Sequence, residues 1–190
     1  MLGSAHAGPL SLAGILLPVI ATAIAAATDA RTGRIPNWLT LSLIVVGVGL
    51  RAASRGAAGL LLALTGLTIC GALPWLLHRG TQGKAIGGGD VKLFAGLGAV
   101  AGPFVGLEIQ LSAFLLLGVF ALIQLALRGQ LFRVLRNSLF LALNPLLPGK
   151  WKRPLEPASL TEMRMGPAIA VAVLSVLVRD QVAAYVPWIA

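Results

Sequence analysis

The sequence predicts an all-α fold: a polytopic transmembrane helical bundle of about six spans, with the amino terminus outside. Three observations carry this reading. The chain has 190 residues, of which 57% are hydrophobic and 11% charged, and its mean hydropathy is +0.90. A soluble domain would carry about 25% charged residues. The apolar residues fall in runs close to the roughly 20 residues a helix needs to cross a bilayer. The runs are continuous rather than alternating, which excludes a β-barrel and leaves helices as the way to satisfy backbone groups in hydrocarbon.

The first span is expected from about Pro9 to Thr28. Ala25-Ala26-Ala27 resembles a signal cleavage site, but residues 1–10 contain no Lys or Arg. A secretory signal has a basic n-region, so this helix is read as retained. The second span runs from Trp38 to Leu50, behind Ile35-Pro36-Asn37. Pro36 pushes the residue before it out of the helical region and fixes the approach to that span. The third runs from Gly59 to Leu77, and the fourth, short and Gly-rich, from Asp90 to Gly102-Pro103. The fifth runs from Val105 to Leu127 and the sixth from Gly166 to Val178, with Arg179-Asp180 marking its outer end. Leu131 to Leu143, with Arg133 and Arg136 among apolar neighbours, reads as an amphipathic helix on the inner leaflet. The tail 182–189, with Tyr185 and Trp188, suits an interfacial anchor. With no internal repeat or low-complexity tract, residues 1–190 read as one membrane-embedded domain.

The net charge of +9 would invite a nucleic-acid reading in a soluble protein. Here aromatic content is 6% and the basic residues are parcelled between hydrophobic spans, so the expected partner is a bilayer with anionic headgroups and no nucleic acid. Counting loops in alternation puts twelve Lys and Arg residues on one side and three, Arg51, Arg55 and Arg179, on the other. The twelve-charge side is the cytoplasm by the positive-inside rule. The lone Cys70 excludes an intrachain disulfide and a cysteine-clustered zinc site, and reads as an apolar packing residue.

Two acids stand out against this background. Asp29 closes the first span and Asp90 opens the fourth. A carboxylate at the edge of a bilayer is costly and marks a functional site by default. Two crossings separate them, so both return to the cytoplasmic boundary, where a tight bundle can bring them together. Two carboxylates a few ångströms apart cannot both ionise easily: one keeps a proton while the other can activate a water. Such a pair needs no metal, no cofactor and no Ser or Cys nucleophile, and it titrates as a unit. Gly87-Gly88-Gly89 removes three side chains just before Asp90. That permits close backbone approach, by a peptide substrate or by a packed helix.

The motifs Asp-x-Arg-x-x-x-Ile-Pro-Asn, Asp29 to Asn37, and Gly-x-Gly-Asp-x-Lys-Leu, Gly87 to Leu93, resemble the type IV prepilin peptidases, polytopic aspartic proteases of the Gly-x-Gly-Asp class. Met165-Gly166-Pro167-Ala168 is also similar to that family. The resemblance implies that Asp29 and Asp90 are the catalytic pair of a peptidase domain in the inner membrane. Its substrate would be a pilin-like precursor, cut between a small residue and the start of a hydrophobic helix. Gly87, Gly88, Gly89, Lys92, Arg31, Pro36 and Asn37 would support the site or bind substrate. Many members carry an additional segment with two Cys-x-x-Cys pairs and also methylate the new amino terminus. This chain has one Cys, so it resembles the short, protease-only branch of Flp-type pilus systems or the preflagellin type.

Other polar residues have plainer readings. Lys92 is expected to snorkel to the headgroups, and topology accounts for at least one of Arg31 and Arg34. Glu108 should face away from the acids, while His6 and His78 show no partner constellation in sequence. The rival function is a transporter or channel in which the two acids relay protons or ions. Against it, both acids sit at one interface rather than near the midplane. A presenilin-like protease shares Gly-x-Gly-Asp, but Thr28 precedes the first acid here and no Pro-Ala-Leu occurs.

Overall fold

A computed structural model describes residues 12–83, 86–129, 132, 136 and 165–185. Almost all of the expected amphipathic helix at 131–143, and the end of the expected interfacial tail, lie outside the described residues. The described chain forms α1 (Leu12–Thr32), α2 (Asn37–Gly80), α3 (Gly88–Ala101), α4 (Pro103–Leu127) and α5 (Gly166–Tyr185), with no strand among them. By proximity the chain divides into a unit of residues 1–115 with 164–190 and a second of residues 116–163. The latter contains the last turns of α4 and the turn at Arg128-Gly129.

Three helices are long and apolar enough to cross a membrane: 14–32 within α1, α2, and α4. The expected second and third spans, with a loop between them, are one helical stretch broken at Gly56, where φ is +59° and ψ −139°. That conformation is essentially restricted to glycine, and it turns the chain back on itself. A Cβ on Gly59 would collide with the Arg51 carbonyl, and Gly47 and Gly66 both lie against residues 98–100 of α3. In a straight helix Gly47 and Gly66 would be about 28 Å apart. Thus α2 is a hairpin whose arms, 37–55 and 57–80, both pack on α3. A Cβ on Gly66 would strike the Gly98 carbonyl and one on Gly98 the Gly66 carbonyl, so this crossing is made backbone to backbone.

Every residue of α3 from Leu93 to Ala101 is buried. With Ile109 and Ala113 of α4, and Ile169, Ala172, Val173 and Val176 of α5, these residues form the core. Phe94 meets Phe114 at 5.6 Å between ring centroids. Many large apolar side chains also face outward: Val45 is 70% exposed and Leu111 63%. Polar groups such as Thr22 and Thr40 are inside, their hydroxyls returned to backbone carbonyls of their own helices. Apolar residues outward and small residues at the crossings fit a solvent of lipid.

Element ends differ from expectation in ways that matter for the site. α1 continues past Thr28 to Thr32, so Asp29 lies in its last turn. α3 begins at Gly88, not Asp90, so two of the three glycines belong to the helix rather than to a loop. α5 continues past Val178 to Tyr185. Its Arg179 pairs with Glu108 of α4, far along the helix from Gly166.

Candidate active site

Asp29 is placed by the end of α1. Gly33, at φ +65°, takes the left-handed conformation that closes a helix, and its N–H donates to the Asp29 carbonyl at 2.9 Å. The side chain then points inward and is only 7% exposed. Its Oδ2 accepts a hydrogen bond of 2.9 Å from the N–H of Gly166 at the start of α5, across 137 positions of sequence. A Cβ on Gly166 would lie 2.9 Å from the Asp29 Cβ and 3.1 Å from the Ala26 Cα.

Asp90 sits in the first turn of α3, outside the three membrane-length helices. Gly87 caps that helix with extended backbone, and its N–H donates to Asp90 Oδ2 at 3.2 Å. This is the carboxylate half of a capping box. The other oxygen, Oδ1, is buried and accepts no hydrogen bond. Burial and then the charge of Asp29 push the Asp90 carboxyl up from 3.8 to about 6, against the backbone N–H groups that favour its ionised form. The acids from the two motifs thus act on each other across α1 and α3, and the pair can hold one proton at a pH where isolated carboxyls hold none.

The surrounding residues bind the two motifs together. Lys92 Nζ donates to Asn37 Oδ1 at 2.8 Å, so Lys92 joins the start of α3 to the start of α2 rather than simply snorkelling. Pro36 caps α2 with φ −64° and ψ 136°, as the residue ahead of a helix requires. Behind it, Ile35 packs on Gly89, where a Cβ would lie 3.0 Å from the Ile35 Cβ. Packing therefore accounts for Gly89, and at Gly88 a Cβ would meet only the His78 ring, at an ordinary 3.8 Å. Arg31 and Arg34 are exposed.

Two residues escaped the sequence reading. His78 has a partner after all: its Nδ1 lies 2.7 Å from the Ile86 carbonyl. A carbonyl can only accept, so Nδ1 carries the hydrogen and ties the end of α2 to the segment leading into α3. Gly166 was legible only as part of Met165-Gly166-Pro167-Ala168, with no signal in its own neighbourhood that it touches Asp29. Among the described residues, no three His, Cys, Asp or Glu side chains cluster as a metal site would require.

A helical bundle with lipid-facing flanks and two mutually acting acids at one end defines a class: helical membrane proteins with a paired-carboxylate site. Residues 15–123, more than half of the chain and spanning both acid motifs, match the type IV leader peptidase family, and the chain belongs to it. Membership makes it a protease, and its apolar helices make it a membrane protein. The chain matches no curated protein and no solved structure.

Proposed function

We propose that this chain is a membrane aspartic endopeptidase that removes the leader from type IV pilin-like precursors, Flp-type or preflagellin, at the cytoplasmic face of the inner membrane. The catalytic pair is Asp29 and Asp90. One observation carries the reading: the acids of two motifs 61 residues apart are close enough for the charge of one to act on the other. The pair shares a proton. Its ionised member takes a proton from water as the water oxygen bonds to the scissile carbonyl carbon. Its protonated member supports the carbonyl oxygen, and proton return to the leaving amine completes hydrolysis.

The two arms of α2 count as separate crossings, so the chain crosses six times and its amino terminus lies outside. Both acids then share the face that receives twelve of the basic residues. Trp38 and Trp75, 62% and 49% exposed, flank that end of the bundle, with the Arg79 guanidinium 5.7 Å from the Trp75 ring centroid. This is the pattern of a membrane interface. A precursor helix lying in the bilayer would deliver its leader junction to this level.

Substitution of either acid tests the proposal. Asp29→Asn and Asp90→Asn should each lower leader cleavage by on the order of 10³-fold, and the double variant should be no worse, because the pair acts as a unit. Asp180→Asn, fourteen residues into α5 and about 21 Å along its axis from Gly166, should cleave normally. Substantial cleavage by a well-inserted single Asn variant removes the aspartic mechanism and brings the ion-relay reading forward.

A further inference from the structure

We propose that Gly166 is a positioning residue: its N–H, the first free donor of α5, holds Asp29 as the carboxylate of the pair and leaves Asp90 to carry the shared proton. The inference rests on the peptidase reading and deepens it by assigning the two acids different roles. The asymmetry is geometric. Asp29 Oδ2 accepts a buried 2.9 Å hydrogen bond from Gly166. Asp90 has a longer bond of 3.2 Å from Gly87, and its Oδ1 is buried without a donor. A hydrogen bond from a fixed N–H favours the charged form of a carboxyl, and a bare buried oxygen disfavours it.

The end of α5 is built for this task. Ile169 N–H bonds the Met165 carbonyl at 3.0 Å, which makes Met165 the cap and Gly166 the first helical residue. The N–H groups of a first turn have no partner within their own helix, and the helix dipole adds positive potential where they point. Only a residue without a Cβ lets that N–H come so close, since an added Cβ would stand 3.0 Å from Asp29 Oδ2. The other ionisable groups on the packed elements are placed elsewhere. Arg31 and Arg34 are exposed beside the end of α1. Lys92 is bonded to Asn37, and His78 to Ile86. Arg79 stacks on Trp75, and the first ionisable residue of α5 is Arg179, paired with Glu108. Arg51 bonds the Val100 carbonyl and Arg55 adjoins the Gly56 turn, both at the far end of the α2 arms, which leaves Asp90 as the charge-bearing group that acts on Asp29.

The consequence for the reaction is a definite direction. Asp29 takes a proton from water as the water oxygen bonds to the scissile carbonyl carbon, and the Asp90 proton passes to the carbonyl oxygen. As the carbon–nitrogen bond breaks, the proton on Asp29 moves to the leaving nitrogen. A hydroxyl proton of the intermediate returns to Asp90, and both acids regain their starting states.

The chain contains three aspartates, Asp29, Asp90 and Asp180, so [4-13C]aspartate labelling of the full protein in lipid yields three carboxyl resonances. Each is assigned by its loss in the corresponding Asn variant. As the pH is lowered from 8, the Asp90 resonance of the unsubstituted protein should move to the protonated position before that of Asp29. The reverse order overturns the assignment. Two substitutions weaken the contact to different degrees. Gly166→Ala keeps the N–H but its Cβ forces that group back from Asp29; Gly166→Pro removes the donor and puts a ring carbon in its place, at a position where proline is tolerated. Both should lose cleavage, with kcat at least about tenfold lower for Pro than for Ala. Both should move the acid limb of kcat/KM to higher pH, Pro further than Ala, because a carboxylate without its donor protonates more readily. Losses of cleavage with acid limbs superimposable on that of the parent would make Gly166 a spacer and refute the proposal. If Gly166→Pro does not insert, the labelled titration alone decides. The titration requires no cleavage, so its failure is distinct from a failure of the peptidase reading.

Discussion

At the scale of single residues, Asp90 combines a structural cost with its proposed chemical role. Its carboxyl is raised from 3.8 to about 6, so the native state binds that proton more tightly than the unfolded chain does. The sign follows: the favourable term is complete below about pH 4 and is lost as pH rises through about 6. A difference of this size corresponds to roughly 3 kcal/mol of native-state cost once the group is ionised. Asp90→Asn should therefore raise the thermal midpoint in detergent relative to the parent at pH 7.5 and gain much less at pH 4.5, while leader cleavage is lost. A variant less stable than the parent at both values would mean that the carboxylate is kept for packing. The acids themselves were legible, because a carboxylate amid apolar runs is too costly to be a bystander. Their partners were not. The bonds from Gly166 to Asp29 and from Lys92 to Asn37 join distant segments, and no local pattern encodes them.

At the scale of elements, hydropathy locates the helices because lipid leaves the backbone few alternatives. It does not show how one helix becomes the next. The stretch between the second and third expected spans reads as a polar loop from Arg51 to Ala58, yet it stays helical on either side of one residue. Gly56 does the turning, at a φ and ψ that an L side chain rarely adopts. Gly56→Ala should destabilise the protein by about 1–3 kcal/mol, read as a lower thermal midpoint. Gly49→Ala is the control: that site is exposed, has open space around it and lies inside a helical arm, so alanine should be neutral or slightly stabilising. Equal effects at the two sites would show that the reversal does not depend on Gly56. The start of α3 was misplaced for a related reason. Glycine weakens a helix in isolation, but Gly89 is held by Ile35 and Gly87 by the Asp90 carboxylate, and tertiary contact overrides propensity.

At the scale of the whole molecule, the proposed orientation rests on charge distribution. In that topology the basic residues divide twelve to three between alternate faces, and the hairpin turn at Gly56 belongs to the poor side. Single cysteines at Ser54 and Arg34 in a Cys70→Ala background should react with an impermeant thiol reagent from opposite sides. Both positions are exposed, so access does not limit the result. Labelling from one side alone would remove the six-crossing topology and the argument that the acids face the cytoplasm. The charge count was readable without any structure because it depends only on crossings. The meeting of the acids was readable only as an opportunity, since an even number of crossings returns both to a face without fixing how near they come.

The hydrogen bond from Arg51 Nε to the Val100 carbonyl, 2.8 Å long, determines where the shortfall of the shortest helix is placed. α3 has 14 residues, about 21 Å, against roughly 30 Å of hydrocarbon. Its first turn is level with the base of the hairpin, at Ile35, Asn37 and His78, while its last turn is met by Gly47 and Gly66. Each arm therefore overshoots α3 by about 12 Å at the tip. In the proposed topology the whole deficit falls at the end remote from Asp90, where the Arg51 guanidinium supplies the donor that a truncated helix in oil would otherwise lack. A scaffold so placed keeps its reactive end flush with water and sinks the stump.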